Sequence, residues 1–351
     1  MDTLRTGIIG LGHAGSRYAQ ILLQGRIRGA ALKAVCTRTA AKLEMYPASV
    51  AKFCSREHLL SSGTVDAVII ATPHLDHVPT GIAALNAGLH VMIEKPIGVK
   101  LTDARRLIAA HKNPRQVFAA MFNLRADPVY VRINKIVKRG ELGRLYRING
   151  TFTQWFRSQD YYNASSWRGT WRGEGGGILA NQAPHQLDLI QWMAGIPTRV
   201  SAFCRFGKHH HIEVEDEVSA YMEYPGGCTA SLVFSTGELP GVNRWELVGT
   251  KGSLILNDRV LCHTRKDKPR RRILNMPEQA QPYHVLIQNF VNAIQKKEKL
   301  IAPAQEGLAS LEMANAMLLS AIQQRPVTIP LNTRAFARAF NNLLRKGAPQ
   351  Q

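Results

Sequence analysis

The sequence predicts an α/β protein: an N-terminal doubly wound parallel sheet followed by a C-terminal α+β domain. Three observations carry this. Short apolar runs alternate with helix-period segments up to about residue 122, a glycine-rich turn joins the first strand to the first helix, and long strands with few helices follow the turn at Gly140 to Gly143. At 351 residues the chain exceeds what one core usually supports, so two domains are expected, 1–122 and 123–351.

Taken in order, Gly7 to Leu11 reads as a strand, Gly15 to Leu23 as a helix and Ala31 to Cys36 as a second strand. Val65 to Ala71 is a continuous apolar run and reads as a buried strand, His77 to Ala87 as a helix closed by Gly88, and His90 to Glu94 as the next strand. Thr102 is expected to cap a helix through Ala110, and Gln116 to Met121 is the last strand of the unit. A helix over Pro128 to Lys138 then leads into strands at Leu145 to Phe156, Val200 to Phe206, Val218 to Tyr224, Cys228 to Ser235 and Arg244 to Val248. Turn signals between consecutive strands, such as Pro225-Gly226-Gly227, point to an antiparallel or mixed sheet. Helical patterns resume at Gly177 to Met193, Tyr283 to Gln295 and Gln305 to Gln323.

Composition excludes several classes. A chain 45% hydrophobic and 7% aromatic is that of a globular protein, and the longest apolar run, around Asp66 to Thr72, is too short to cross a bilayer. The first strand pattern starts almost at Met1, so no signal peptide is expected. Cys36, Cys54, Cys204, Cys228 and Cys262 show no C-x-x-C spacing, which points to the reducing cytoplasm. The net charge of +20 can steer anions. Its densest cluster, Arg265 to Arg272, lacks interleaved aromatics and reads as a basic surface loop, not a specific nucleic-acid site.

Gly10-Leu11-Gly12-His13-Ala14-Gly15 is a G-x-G-x-x-G that follows a strand and opens a helix. The first glycine permits the tight turn, the second lets the backbone approach a pyrophosphate, and the third lets the helix pack closely. This is a dinucleotide cradle. About twenty residues on, where a carboxylate would hold the ribose hydroxyls of NAD, the chain reads Thr37-Arg38. A hydroxyl and a guanidinium suit a ribose phosphate, so the cofactor is NAD or NADP, with the chemistry leaning to NADP.

Ile93-Glu94-Lys95-Pro96 ends a strand on the ligand side of such a sheet. A lysine there, partly desolvated and beside a positively charged nicotinamide, would have its ammonium form disfavoured and could act as acid or base near neutrality. Taken together, these residues resemble the glucose-fructose oxidoreductase / inositol dehydrogenase / MocA family. The resemblance also takes in Ala71-Thr72-Pro73 with His77, Arg125 to Pro128, Trp167-Arg168, Gly175 to Gly177, and His185 with Asp188.

The resemblance implies a Rossmann domain followed by a large open, mostly antiparallel sheet, and a homodimer or homotetramer. It implies that Lys95 contacts the reacting hydroxyl and that His185 is a second proton-transfer group. It also implies that Glu94, Ala71, Thr72, His74, His77, Trp167 and Arg168 approach the cofactor. Family members commonly carry aspartate where this chain has Asn181; an amide cannot accept a proton as a carboxylate can, although it can bind a sugar hydroxyl. Asn181 and His185 lie four apart on one expected helix, hence on one face.

Arg125, Arg157, Tyr161 and Tyr162 are placed with Lys95, Asn181 and His185 on the substrate, since aromatic faces pack on sugar rings and guanidinium groups bind anions. His209-His210-His211 alternate sides of an extended segment, so the stretch reads as a polar loop and no metal is expected. The leading expectation is hydride transfer between a nicotinamide and a ring carbon of a sugar, glycoside or cyclitol, in some cases an anionic one. Two rivals stay open: a redox-neutral glycosidase that oxidises, eliminates, hydrates and reduces its substrate, and a dinucleotide-sensing regulator without catalysis.

Overall fold

A computed structural model describes residues 3–274, 276 and 281–347, the side chains of residues 270 and 271 excepted. The ends of the expected domain limits, 1–2 and 348–351, lie outside the described residues. The chain forms two compact units: one comprises the chain up to Ala126 together with Gln281–Leu308, the other the remaining described residues.

In the first unit β1 (Leu4–Ile9), β2 (Ala30–Cys36), β3 (Ala51–Phe53), β4 (Ala67–Ile70), β5 (His90–Ile93) and β6 (Phe118–Ala120) form a six-stranded sheet in the order β3-β2-β1-β4-β5-β6. Every pairing is parallel. Parallel strands are covered on both faces, which is why β4 is four apolar residues in a row, each with 0% exposure. The covering helices are α1 (His13–Leu23), α2 (Arg56–Ser61), α3 (His74–Asn86) and α4 (Leu101–Ala110). In α1 the buried residues Gly15, Tyr18, Ala19, Ile21 and Leu22 recur at helical spacing and set the face that meets the sheet. Thr102 falls inside the first turn of α4 and does not cap it, Lys100 being the residue at the cap.

The sequence reading ends the first domain at residue 122, whereas the contacts extend the unit to Ala126 and return Gln281–Leu308 to it. Hydrogen bonds explain the return. Ala120 N donates to the Ala302 carbonyl, and Gln288 in a later helix, Pro282–Ile294, both accepts from Arg28 N and donates to its carbonyl. Periodicity alone shows that a segment is helical, not which sheet it packs on.

The second unit opens with α5 (Pro128–Lys138), capped by Asp127, whose carboxylate accepts from Val129 N at 3.0 Å. There follow β7 (Leu145–Phe152), α6 (Gln159–Asn163), α7 (Ile178–Asn181), α8 (Pro184–Ala194), β8 (Arg199–Phe206), β9 (Glu215–Glu223), β10 (Thr229–Ser235), β11 (Asn243–Gly249), β12 (Gly252–Asn257), β13 (Val260–Arg265) and β14 (Lys268–Leu274). After α9 (Pro282–Ile294) come α10 (Gly307–Gln323), which leaves the first unit after Leu308, then β15 (Val327–Thr328) and α11 (Thr333–Lys346). The strands form one nine-stranded sheet, β14-β13-β12-β11-β7-β10-β9-β8-β15. Only β7 with β10 is parallel among its pairings. One face is apolar and buried, with Val200, Ala202, Val218, Ala220, Ala230 and Leu232, and the alternate face exposes Phe203 and Tyr221.

Two expectations are corrected here. The basic cluster Arg265 to Arg272 is not a loop: it closes β13, turns at Lys266 and Asp267, and forms β14, an edge strand of the sheet. Cations on an edge strand hinder pairing with another chain, a structural use for the charge. The helix expected over Gly177 to Met193 is two helices, because Pro184 lacks the N–H that would continue the ladder and stands instead at the start of α8.

Candidate active site

The order of the six-stranded sheet reverses between β1 and β4, and their carboxyl ends run into Gly10 and Ala71. This is the switch point at which open α/β sheets bind ligands. The three glycines of the turn are needed for different reasons. Gly10 has φ +96°, and a Cβ there would stand 2.5 Å from the Ala71 carbonyl oxygen; a Cβ at Gly15 would collide with the Gly10 carbonyl. Gly12 is different: among the described residues, its chain neighbours apart, a Cβ there meets no atom within 4 Å. The space beside the backbone is left open there, as the close approach of a pyrophosphate needs.

Other observations agree. Helix α1 begins at His13 and Ala14 without a side-chain cap, leaving its first N–H groups for an anion. Thr72 Oγ1, just past β4, is buried with no hydrogen-bond partner among the described residues. These residues fit a dinucleotide. Lys42 Nζ donates to the Leu11 carbonyl at 3.2 Å, placing a cation at the turn that sequence spacing did not single out. Thr37 and Arg38 follow β2; the Arg38 guanidinium is exposed, 3.8 Å from Asp76 in the first turn of α3.

Beyond β5, Lys95 is half-buried and forms a cis peptide with Pro96. Glu94 is turned inward: Oε1 accepts from the Tyr18 hydroxyl, and Oε2 accepts from Lys95 N at 3.0 Å. Burial first, and then the Glu94 charge, push the Tyr18 phenol well above its ordinary range. The Tyr18 ring packs 5.7 Å from that of Tyr283, over which the Arg17 guanidinium lies. Tyr18 and Tyr283 thus brace Glu94 and, through it, the Lys95 backbone. Sequence spacing could not join a helix near one end to a helix past residue 280.

His77 is fully buried, with Nδ1 2.7 Å from the Pro96 carbonyl and Nε2 2.8 Å from the Thr72 carbonyl. Burial lowers its pKa, and a neutral ring donates to one of these oxygens at a time. It ties the turn after β4 to the Lys95-Pro96 loop, with the ring of His74 5.8 Å away, so its nitrogens are not offered to a cofactor. Arg125 also departs from expectation. Its guanidinium is 1% exposed and pairs with Glu306 Oε2 and the Ile301 carbonyl, which anchors the Gln281–Leu308 segment; it is not a substrate-facing cation.

In the second unit, Arg157, Tyr161, Trp167, Arg168, Glu174 and Asn181 form one cluster. The Arg168 guanidinium lies 4.4 Å from the centre of the Tyr161 ring and 4.5 Å from that of Trp167, donates to the Tyr161 hydroxyl, and stands 3.9 Å from Glu174. Arg157 covers the Tyr161 ring at 4.8 Å. Asn181 Nδ2 donates to Glu174 Oε1 at 2.6 Å and reaches the Tyr161 hydroxyl at 3.4 Å. Tyr162 is corrected from substrate wall to core: it is 8% exposed, it packs on His210, and burial pushes its phenol up to about 12.

Asn181 closes α7 and His185 follows Pro184 in α8; Gln182 and Ala183 between them keep right-handed helical angles, so the chain direction is nearly continuous. Asp188 is buried and accepts from the Gln191 amide at 3.2 Å. His210 Nδ1 lies 3.1 Å from Asp216, which also accepts backbone N–H groups of Lys208, His209 and His210. His209 pairs with Glu217. These histidines close a loop, and among the described residues no group of three or more His, Cys, Asp or Glu could hold a metal.

Residues 4–122 match the model described as an oxidoreductase family with an NAD-binding Rossmann fold, and residues 130–255 match the GFO/IDH/MocA C-terminal domain. The chain belongs to the GFO/IDH/MocA oxidoreductase family.

Within this family the chain is similar to an uncharacterised oxidoreductase, YdgJ, of Escherichia coli, 30% identical over 57% of this chain and 56% of the relative. It is 27% identical to levoglucosan dehydrogenase of Pseudarthrobacter phenanthrenivorans, over 57% of each chain. The match thus spans little more than half the length of these curated relatives. Among solved structures, the WlbA dehydrogenase of Bordetella pertussis, in complex with NADH and UDP-GlcNAcA, is 25% identical with a TM-score of 0.82, covering 94% of this chain and all of that one. Among the described residues, no helix is long and apolar enough to cross a membrane.

The family's Glu-Lys-Pro and glycine-rich elements are legible as short strings; Tyr18, Tyr283, Lys42 and Glu174 are not. The signal that could have found Glu174 is its place directly before the glycine run Gly175 to Gly177, where the chain turns back.

Proposed function

We propose that the chain is a nicotinamide-dependent dehydrogenase acting on a ring hydroxyl of a sugar or cyclitol. The observation that carries this is the half-buried Lys95 at the carboxyl end of β5, in a sheet whose switch point has a Gly12 turn open to a ligand. Gly10, Gly12, Gly15 and the start of α1 hold the pyrophosphate of NAD or NADP, and Thr37 and Arg38 face the adenosine ribose. When bound, the nicotinamide supplies the hydride acceptor. Lys95 polarises the reacting hydroxyl, His185 takes its proton, and Asn181 orients the ring.

The Tyr161 ring, covered by Arg157 and Arg168, supports a sugar that carries an anionic group as the first candidate substrate, since stacked guanidinium groups suit carboxylate or phosphate. The exposed Phe203 and Tyr221 on the open face of the nine-stranded sheet support a homodimer or homotetramer. The scattered, unpaired thiols suit a reducing cytoplasm. The test is a panel of neutral and acidic sugars, cyclitols and glycosides with NAD and with NADP, following reduced nicotinamide and product together. The reading expects one reduced nicotinamide per oxidised sugar. Glycoside cleavage without net reduction would replace it with the redox-neutral glycosidase, and dinucleotide binding without any turnover with the regulator.

A further inference from the structure

We infer that Glu174 is the positioning carboxylate of the substrate site, acting through Asn181; the inference deepens the dehydrogenase reading and rests on it. Glu174 is 1% exposed, and donors surround it: Asn181 Nδ2 at 2.6 Å and Gly169 N at 2.8 Å, with the Arg168 guanidinium 3.9 Å away. A buried carboxylate matched by donors in this way is fixed in place and carries its charge into the site. The local chain path makes the meeting possible. Glu174 N donates back to the Thr170 carbonyl, Gly175 and Gly176 follow at φ +84° and +153°, and a Cβ at Gly177 would collide with the Glu215 carbonyl of β9. The chain therefore doubles back tightly against β9, and residues 174 and 181 face each other.

The consequence falls on the amide. With Nδ2 committed to Glu174, Asn181 presents its carbonyl oxygen, and so an acceptor, to a ring hydroxyl. Glu174 also holds Arg168 against the rings of Tyr161 and Trp167. One buried charge sets the direction of the amide and the position of the guanidinium.

The test is a charge swap in the dinucleotide-loaded enzyme. In Glu174→Gln the Gln oxygen that keeps the Gly169 N–H turns its NH2 towards the Asn181 NH2, so Asn181 turns its carbonyl towards Gln and offers its NH2 to the substrate instead. In Asn181→Asp two carboxylates face each other across the same hydrogen bond. In the double variant an amide again donates to a carboxylate, with the charge moved from 174 to 181, and the new carboxamide oxygen can still accept from Gly169 N. On the sugar that the wild type oxidises, E174Q is expected to lose about 10- to 100-fold in kcat/KM, the worth of one charge-assisted hydrogen bond. The double variant is expected to recover most of that loss, which a merely structural role would not allow. A double variant no faster than E174Q, or an E174Q enzyme with wild-type kinetics, would overturn the assignment.

A measurement without substrate separates the two readings. The Tm of N181D should rise relative to wild type as pH falls from about 8 to about 5, because one of two facing carboxyl groups must hold a proton, while the double variant follows the wild-type curve. Parallel curves for N181D and wild type would show that the groups do not meet and would overturn the inference. A wild type that oxidises no sugar defeats the dehydrogenase reading, and the Tm curves still decide whether the carboxylate and the amide are paired.

Discussion

The turn Gly10 to Gly15 and the segment Trp167 to His185 are both glycine-rich, both end in a helix, and each carries proposed site residues of its own unit, yet their glycines serve different masters. In the turn, Gly10 and Gly15 answer to the protein's own backbone, and Gly12 answers to space left open for a ligand. In the segment, Gly177 answers to β9, and the run lets the chain double back so that Glu174 meets Asn181. The first region is built for an external partner at fixed spacing. The second is built to bring its own side chains together, and its chemistry depends on pairings that no spacing rule encodes.

Substitutions test that contrast, beginning with Lys95, the residue proposed at the reacting hydroxyl. Lys95→Ala should cost roughly a thousandfold in kcat, the usual worth of a positioned acid or base, while dinucleotide affinity measured by fluorescence stays close to wild type. Full activity in K95A would remove Lys95 from the chemistry. Gly12→Ala should weaken dinucleotide binding about tenfold with Tm unchanged, since its Cβ enters space with no atom of the described residues within 4 Å. Gly15→Ala should instead lower Tm, because its Cβ strikes the Gly10 carbonyl. If both variants behaved alike, the distinction between ligand-imposed and fold-imposed glycines would fail.

Smaller effects are expected at the edges. Arg38→Ala should shift the ratio of NADP to NAD affinity by about tenfold towards NAD, one charge-assisted contact's worth, read from titrations with each dinucleotide. An unchanged ratio would mean that the guanidinium serves Asp76 instead.

Glu215 offers a pH test in the second region. Its carboxylate accepts from Gly177 N and Leu179 N, and burial pushes it up to about 7 from 4.5. The protonated form therefore favours the fold: this contribution is complete below pH 4.5 and is lost as pH rises through about 7. Glu215→Gln should remove that dependence, so that its Tm exceeds wild type by roughly 5 °C near pH 8 and converges with it near pH 5. A pH-independent difference would place the ionisation elsewhere.

The same contrast governs what could be read in advance. The order of strands and helices in the first unit follows from apolar runs such as β4 and from the glycine spacing, because parallel strands covered on both faces and a phosphate turn are local in sequence. The places of Gly10 to Gly15 after β1 and of Lys95 after β5 are legible for that reason. Arg125, His77 and Tyr162 were misplaced because a residue type shows what a side chain can bind, not whether Glu306, two carbonyls or the core already hold it. The packing of α9 on the first unit and the pairing of Glu174 with Asn181 depend on the folded chain path. The break before α8 comes from Pro184, which the apolar period on either side does not register.

Hydride transfer from a ring carbon, with Lys95 at the reacting hydroxyl, is the proposed chemistry. Its most direct measurement is the stoichiometry of reduced nicotinamide and keto product, in wild type and K95A, on the best sugar or cyclitol of the panel. One reduced nicotinamide per keto product is expected in wild type and neither in K95A, which still binds dinucleotide. Product formed without net reduced nicotinamide, or product formed equally by K95A, would contradict it.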